Sequence, residues 1–465
     1  MSAAASDAMA LTAARIAQRF GAENVVASSK ELAAYEVDGM LPAATVLARS
    51  SDEIVEVLKL AAAEKLAVIP CGGRTKLGIG MPPARYDIAL DVSRMNRILA
   101  YEPRDLTLGV EPGVRFETVW ELLGNENQWL PVAPPFGERA TIGGVLAADA
   151  TSSLRHAYGG LRDFTLGMEF VTGYGAAVKS GGRVVKNVSG YDAHKLLIGS
   201  LGTLAVITRA NFKTFPFPPV RKVFVVDFEN SVAAVEFCRA MDRSALEPRL
   251  VEVISPEAAK IMIKLETGDS VESNLRLRED IWSVTIGVAA HEEVVARHAR
   301  EIAGLSSEHN GGQMTMLEGD DQALLLNQIR EFPAQVLAFD SRAAIFRIAV
   351  TPVSMSVLTE RLNAASGSQK ISSAMVLRPH GLIYFAMMAD GAADDIARLG
   401  SAAEMVFRSA AEVGAKARIE FAPVELKRRV DVWGAVRPDI ELMRRVKKVF
   451  DPENVLSPGR FAGGI

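Results

Sequence analysis

The sequence predicts an α+β fold divided into two domains, and three observations carry that prediction. The chain opens with an alternation of strand, helix and strand. A stiff Pro-rich stretch, Phe215-Pro216-Phe217-Pro218-Pro219, then interrupts it. Beyond the break, strand-then-helix units recur with a different rhythm. A chain of 465 residues also exceeds what one hydrophobic core usually sustains.

The elements follow in order. Residues 1–35 form an N-terminal helical segment, with an amphipathic helix at its start and Asn24 to Ala27 as a short strand. Pro42 to Ala48 reads as a strand. Ser51-Asp52-Glu53-Ile54 supplies an N-cap with acids in the first turn, and the helix runs to Lys65. Leu66 to Pro70 is a short buried strand. Ile88 to Asp91 and Thr107 to Glu111 add strands, and Phe116 to Leu123 a helix. After the break, strands at Arg221–Asp227, Ile281–Val288 and Ala344–Val350 are each followed by a helix. The strand pair Ser373–Leu377 and Leu382–Met387 precedes a helix from Asp394 to Val413. Boundaries are therefore expected at 36–215, 220–420 and 421–465, and the last segment is turn-rich.

Composition removes several functions. Hydrophobic content of 49% and charged content of 23% belong to an ordinary globular protein. A net charge of −4 gives no basic footprint for nucleic acid. The basic runs Lys427-Arg428-Arg429 and Arg444-Arg445-Val446-Lys447-Lys448 read as solvated helix faces. Cys71 and Cys238 are too few for an iron–sulfur cluster, a zinc ribbon or a disulfide framework, which points to a reducing compartment. No apolar run reaches the ~18–20 residues of a membrane span, and the N-terminus does not read as a signal peptide. The expected location is the cytoplasm, at most peripheral to the inner membrane through a complex.

Two glycine-rich segments carry the chemistry. In Pro70-Cys71-Gly72-Gly73-Arg74-Thr75-Lys76, a strand delivers a Gly-Gly turn followed by cations and a hydroxyl. Such a turn can surround a pyrophosphate with donors. In Thr141-Ile142-Gly143-Gly144, with Ala147 behind it, a helix start and small residues admit a close ligand. A third cluster closes the stretch at Gly199-Ser200-Leu201-Gly202, and Ile207 lies just beyond it. No strand leads into Gly-x-Gly-x-x-Gly, and neither a P-loop nor a Gly-x-Ser-x-Gly elbow is present. His291-Glu292-Glu293 lacks the second histidine of a zinc helix, and His291 and His298 read as solvent-facing. His156 and His194, close to the glycine loops, read as structural hydrogen-bonding residues.

In this order, the loops resemble the FAD-binding domain of the vanillyl-alcohol oxidase and p-cresol methylhydroxylase (PCMH) superfamily. The run Lys186-Asn187-Val188-Ser189-Gly190-Tyr191-Asp192 resembles the signature of one branch, the smaller FAD-binding subunit of bacterial glycolate oxidase (glycolate dehydrogenase). The C-terminal Asp431-Val432-Trp433-Gly434 and Pro458-Gly459-Arg460 resemble that group's ending. The resemblance implies a two-lobed PCMH-type FAD-binding domain and an α+β cap, with the C-terminal segment returning to the flavin domain. It implies FAD contacts from residues 70–76, Pro135, Thr141, Ile142, Gly143, Gly144, Ala147, Gly159, Asp163, Lys186, Tyr191, Asp192, Gly202, Ile207 and Arg460.

Three departures refine this. Arg74 stands where members with covalent flavin place a histidine, so noncovalent FAD is expected. Ser457 replaces the asparagine of the closing Asn-Pro-Gly. The cap segment Arg378-Pro379-His380-Gly381 has no second histidine or acid behind it, so no metal is expected. Arg378 and His380 are the candidates for carboxylate clamp and base in the oxidation of glycolate, D-lactate or a related 2-hydroxy acid. The partners implied are a larger FAD subunit and an iron–sulfur subunit. Two other readings stay open: an accessory, electron-relay or scaffold subunit, and a stand-alone FAD oxidase using oxygen.

Overall fold

The computed structural model describes residues 3–183, 190–218, 221–267, 273–436 and 438–465, with side chains from residue 9 onward. The chain divides into two compact units. The first comprises Met1–Thr151, Gly160–Pro216 and Val436–Ile465, and the second Ser152–Gly159 with Phe217–Ala435.

In the first unit, Ala44–Leu47 and Val68–Cys71 flank Ile88–Asp91 as parallel strands, and Val25–Val26 joins antiparallel at the edge. The crossover helix Ser51–Glu64 is capped by Ser50, whose Oγ accepts from the Glu53 N–H at 3.2 Å. The cap therefore lies one residue before the Ser51 expected, and both Asp52 and Glu53 remain in the first turn. The helix ends at Lys65, which takes a left-handed φ of 57° and turns the chain into Val68–Cys71. Ile54, Val57, Leu58 and Ala61 bury one face of this helix against the sheet.

A second sheet of this unit is antiparallel throughout. Its order is Ile98–Glu102, Thr107–Val110, Ala205–Lys213, Thr165–Thr172, Ala177–Gly181. Phe116, Phe164, Phe170 and Phe212 fill its core. The C-terminal segment is part of the same unit. Val68 donates to the Val455 carbonyl at 2.8 Å, and Ser457 donates to the Val68 carbonyl at 2.9 Å.

Lys447 fastens this segment. Its Nζ donates to the Thr203 carbonyl, the Asp451 carboxylate and the Leu456 carbonyl at 2.7–2.8 Å, and the side chain is buried. Three partners satisfy all three ammonium protons, which offsets the cost of taking the charge out of water. Lys427 is buried as well. Neither lysine is part of a solvated face, contrary to the sequence reading. Arg444, Arg445 and Lys448 on the helix of Lys447, and Arg428 and Arg429 just after Lys427, are exposed, so composition alone hid the inward lysines.

In the second unit, eight strands of the described residues form one antiparallel sheet. Its order is Met314–Leu317, Arg221–Phe228, Trp282–Ala289, Leu250–Ile254, Ser372–Arg378, Leu382–Met388, Ala344–Ala349, Lys416–Phe421. Helices Ser231–Asp242, Pro256–Thr267 and Met355–Ser368 bury apolar faces. His298 is buried, not solvent-facing: its Nε2 accepts from the Glu247 N–H at 3.2 Å.

Candidate cofactor site

A cleft open to solvent lies within the first unit, and its walls are the three glycine segments together with the C-terminal arginine. Pro70 through Lys76, Thr141, Gly143, Gly144, Ala147, Gly202, Ile207 and Arg460 all line it. Local bonds fix the segments to one another. The Gly73 N–H donates to Thr141 Oγ1 at 3.3 Å, and the Leu201 N–H donates to the Ala147 carbonyl at 2.8 Å. A Cβ on Gly73 would stand 1.9 Å from the Arg139 carbonyl oxygen, so only glycine lets these two loops meet. Arg460 reaches back to the carbonyls of Leu77 and Ile79, and thereby shapes the loop after the Gly-Gly turn.

Other expected residues lie elsewhere. Ile142 is buried in the core behind the cleft, and Pro135 is buried without lining it. Asp163 caps its own short helix, accepting from the Gly160 N–H at 2.7 Å. Gly159 belongs to the second unit. Tyr191 is 95% exposed, and Asp192 pairs with Lys195 at 3.0 Å. Lys186 lies outside the described residues. The helix behind Thr141 is only Ile142–Ala147, too short for a substantial dipole, so backbone N–H groups and cations are the main anion donors. Ser200 and Leu201 line the cleft within the third glycine cluster, and Val92, Pro112 and Ile79 also line it and were missed. Val92 directly follows a strand and Pro112 comes two residues after one, and that position was their only sequence signal.

In the second unit, Arg378 ends its strand with Nε 2.9 Å from Glu252 Oε1 and its guanidinium 5.2 Å from the Tyr384 ring centroid. Glu252 is fully buried, and desolvation raises its carboxyl pKa while Arg378 opposes the rise. Arg378 Nη1 is buried and makes no hydrogen bond among the described residues. His380 stacks on His156, and its Nδ1 lies 3.5 Å from Asp242 Oδ1. Burial, then the neighbouring His156, lowers the His380 pKa to about 4, so its imidazole is neutral at pH 7. Among the described residues, no group of His, Cys, Asp and Glu could hold a metal ion.

Residues 42–181 match the family model described as FAD binding domain, and residues 217–393 and 435–461 match FAD linked oxidases, C-terminal domain. The chain belongs to the FAD-linked oxidases. Glycolate oxidase subunit GlcD of Bacillus subtilis (strain 168) is 24% identical over 96% of this chain and 95% of its own length. D-lactate dehydrogenase [cytochrome], mitochondrial, of Arabidopsis thaliana is 25% identical over 90% of this chain and 73% of its own. Glycolate oxidase subunit GlcE of Escherichia coli (strain K12) is 35% identical, over 36% of this chain and 48% of its own. Among solved structures, p-cresol methylhydroxylase with substrate bound superposes with a TM-score of 0.79 at 17% identity, covering 97% of this chain and 96% of its own. That likeness gives the PCMH-type fold. The chain is an FAD-linked oxidoreductase of the glycolate oxidase, D-lactate and D-2-hydroxyglutarate dehydrogenase family.

The first-unit cleft fits the FAD expected of such an oxidase. Its glycine turn, Thr75, and the cations Lys76 and Arg460 form a donor set suited to a diphosphate. Cys71, Val92 and the alanines at 147, 148 and 205 add apolar lining. Covalent attachment would need a nucleophile. Cys71 is buried, and desolvation holds its thiol pKa well above the usual range. His194, the one histidine of the first unit, is buried against Ser180, with Nδ1 3.0 Å from Oγ. No helix of the described residues is long and apolar enough to cross a membrane.

Proposed function

We propose that this chain oxidises a small 2-hydroxy acid, glycolate or D-lactate, using noncovalent FAD bound in the first-unit cleft. The observation that carries this reading is the convergence of three glycine segments and three cations on one cleft in a chain with both FAD-linked oxidase domains. The names of the full-length relatives support the substrate class. Cofactor contacts are assigned to Pro70 through Lys76, Thr141, Gly143, Gly144, Ala147, Gly202, Ile207 and Arg460.

Bound FAD supplies a two-electron acceptor at flavin N5 for the hydride of the substrate Cα–H. Arg378 and His380 are the candidate anion-binding and acid–base groups. His380 is uncharged at neutral pH and takes the hydroxyl proton at Nε2, which is buried without a hydrogen-bond partner among the described residues. Arg378 offers Nη1 to the substrate carboxylate, while Glu252 holds Nε and fixes the fork. Electrons then pass to partner subunits; the GlcD and GlcE relatives, each named as a glycolate oxidase subunit, support a multi-subunit oxidase.

The GlcE match favours a second reading, an accessory subunit that relays electrons. Anaerobic mixing of the purified protein with glycolate or D-lactate separates the two. Bleaching of the flavin band by the chain alone supports turnover. Bleaching only after addition of partner subunits supports relay, and peroxide released in air marks a stand-alone oxidase.

A further inference from the structure

Arg74 occupies an unusual position in the cleft. It follows Gly73 with a left-handed φ of 58°, a conformation that costs a long side chain energy and therefore needs a reason to persist. The reason lies in what holds it. Its Nη1 is 3.3 Å from Asp91 Oδ2, and its guanidinium carbon stands 4.6 Å from the Tyr35 ring centroid. Asp91 is buried, and its oxygens are otherwise committed. Oδ2 accepts from the Tyr35 hydroxyl at 2.7 Å, and Oδ1 from the Ser93 N–H at 2.8 Å. Tyr35 is itself fixed, since the Tyr86 hydroxyl donates to its carbonyl at 2.9 Å. Asp91 pairs in register with Cys71, three residues before Arg74, so the acid and the cation rise from adjacent strands at one end of the sheet.

This is a pinned charge, not a phosphate clamp. A clamp presents its planar fork to the anion in two parallel bonds. The Arg74 fork is stacked on a ring and engaged at one nitrogen, and its side chain is still one-third exposed. Thr75, Lys76 and the glycine N–H groups remain to meet a diphosphate. A preorganised cation beside an apolar wall instead stabilises charge that develops nearby during reaction.

We propose that Arg74 is the fixed cation that raises the reduction potential of the bound flavin by stabilising its anionic reduced form. Asp91 and Tyr35 are the positioning residues. Reduction delivers two electrons and one proton to the oxidised ring, which leaves one negative charge on it. The inference rests on the reading that the first-unit cleft holds FAD.

The test is a set of flavin midpoint potentials measured against reference dyes in the purified, FAD-loaded protein. FAD affinity of the apoprotein and ADP affinity are measured in parallel. Arg74→Gln removes a positive charge and is expected to lower the midpoint by about 30 mV, a tenfold change in the two-electron equilibrium constant. Arg74→Lys recovers part of that shift. Asp91→Asn removes a negative charge and is expected to raise the midpoint, because Tyr35 still supports the guanidinium. A purely structural role would move both variants in the same direction. Equal-direction shifts overturn the proposal, as does an unchanged midpoint with weakened FAD and ADP binding, which would make Arg74 a diphosphate ligand. A wild-type apoprotein that fails to bind FAD would instead overturn the cofactor reading beneath it.

Discussion

The imidazole of His156 lies flat on that of His380, ring centroids 3.3 Å apart and planes 9° from parallel. His156 comes from the eight-residue segment Ser152–Gly159, which belongs to the second unit although its sequence neighbours on both sides belong to the first. The stack removes His380 from water and sets a second titratable ring against it. Asp242, the carboxylate facing the pair, has its own pKa raised by desolvation.

The stack makes stability depend on acid. An unfolded histidine takes its proton near 6.5, whereas folded His380 resists protonation until about 4. Between these values the unfolded chain binds more protons, so stability is present above pH 6.5 and falls as pH drops toward 4. His380→Gln should flatten this acid limb in thermal unfolding followed across the window. An unchanged limb would show that His380 does not carry it.

Arg378 and Glu252 form a buried pair that is costly to break from one side. Arg378→Met leaves a fully buried carboxylate unpaired and should destabilise the second unit by about 3–5 kcal/mol. Adding Glu252→Leu should recover most of that loss, because an apolar pair needs no compensation. Urea unfolding of the two variants checks this. If Arg378 also holds substrate, the double variant folds but has a raised KM.

Gly73→Ala should empty the cleft. The added methyl meets the Arg139 carbonyl at 1.9 Å, and that backbone atom cannot yield without separating the first two glycine segments. Gly124→Ala meets nothing within 4 Å and serves as the control. The flavin-to-protein absorbance ratio after purification should fall for the first variant and hold for the second.

Much of the fold was legible because local signals and burial agreed. The helix Ser51–Glu64, the strand ending at Cys71 and the hairpin Ser372–Arg378 with Leu382–Met388 all carry an apolar pattern matching the element. The strand Ala205–Lys213 was not legible, since it is buried almost throughout and carries Thr208, Arg209 and Asn211. Lys416–Phe421 was hidden by charge. Its Arg418 lies opposite Arg347, a like-charge pair that the sheet tolerates because Glu420 sits within reach of both, at 2.6 and 3.4 Å.

The cofactor loops were legible for a different reason, because glycine, threonine and cations at short spacing state a chemistry directly. Residues completing the cleft from just beyond other strands, such as Val92 and Pro112, were not legible, since only the sheet order brings them there. The partnership of His156 with His380 likewise depends on which unit a short segment joins, and no periodicity encodes that.

Noncovalent FAD in the first-unit cleft is the centre of the proposed function. Acid precipitation of the purified protein tests it directly. A yellow supernatant containing FAD in a near one-to-one ratio with the chain is expected. Flavin that stays with the pellet, or protein that carries none and takes up none, would contradict it.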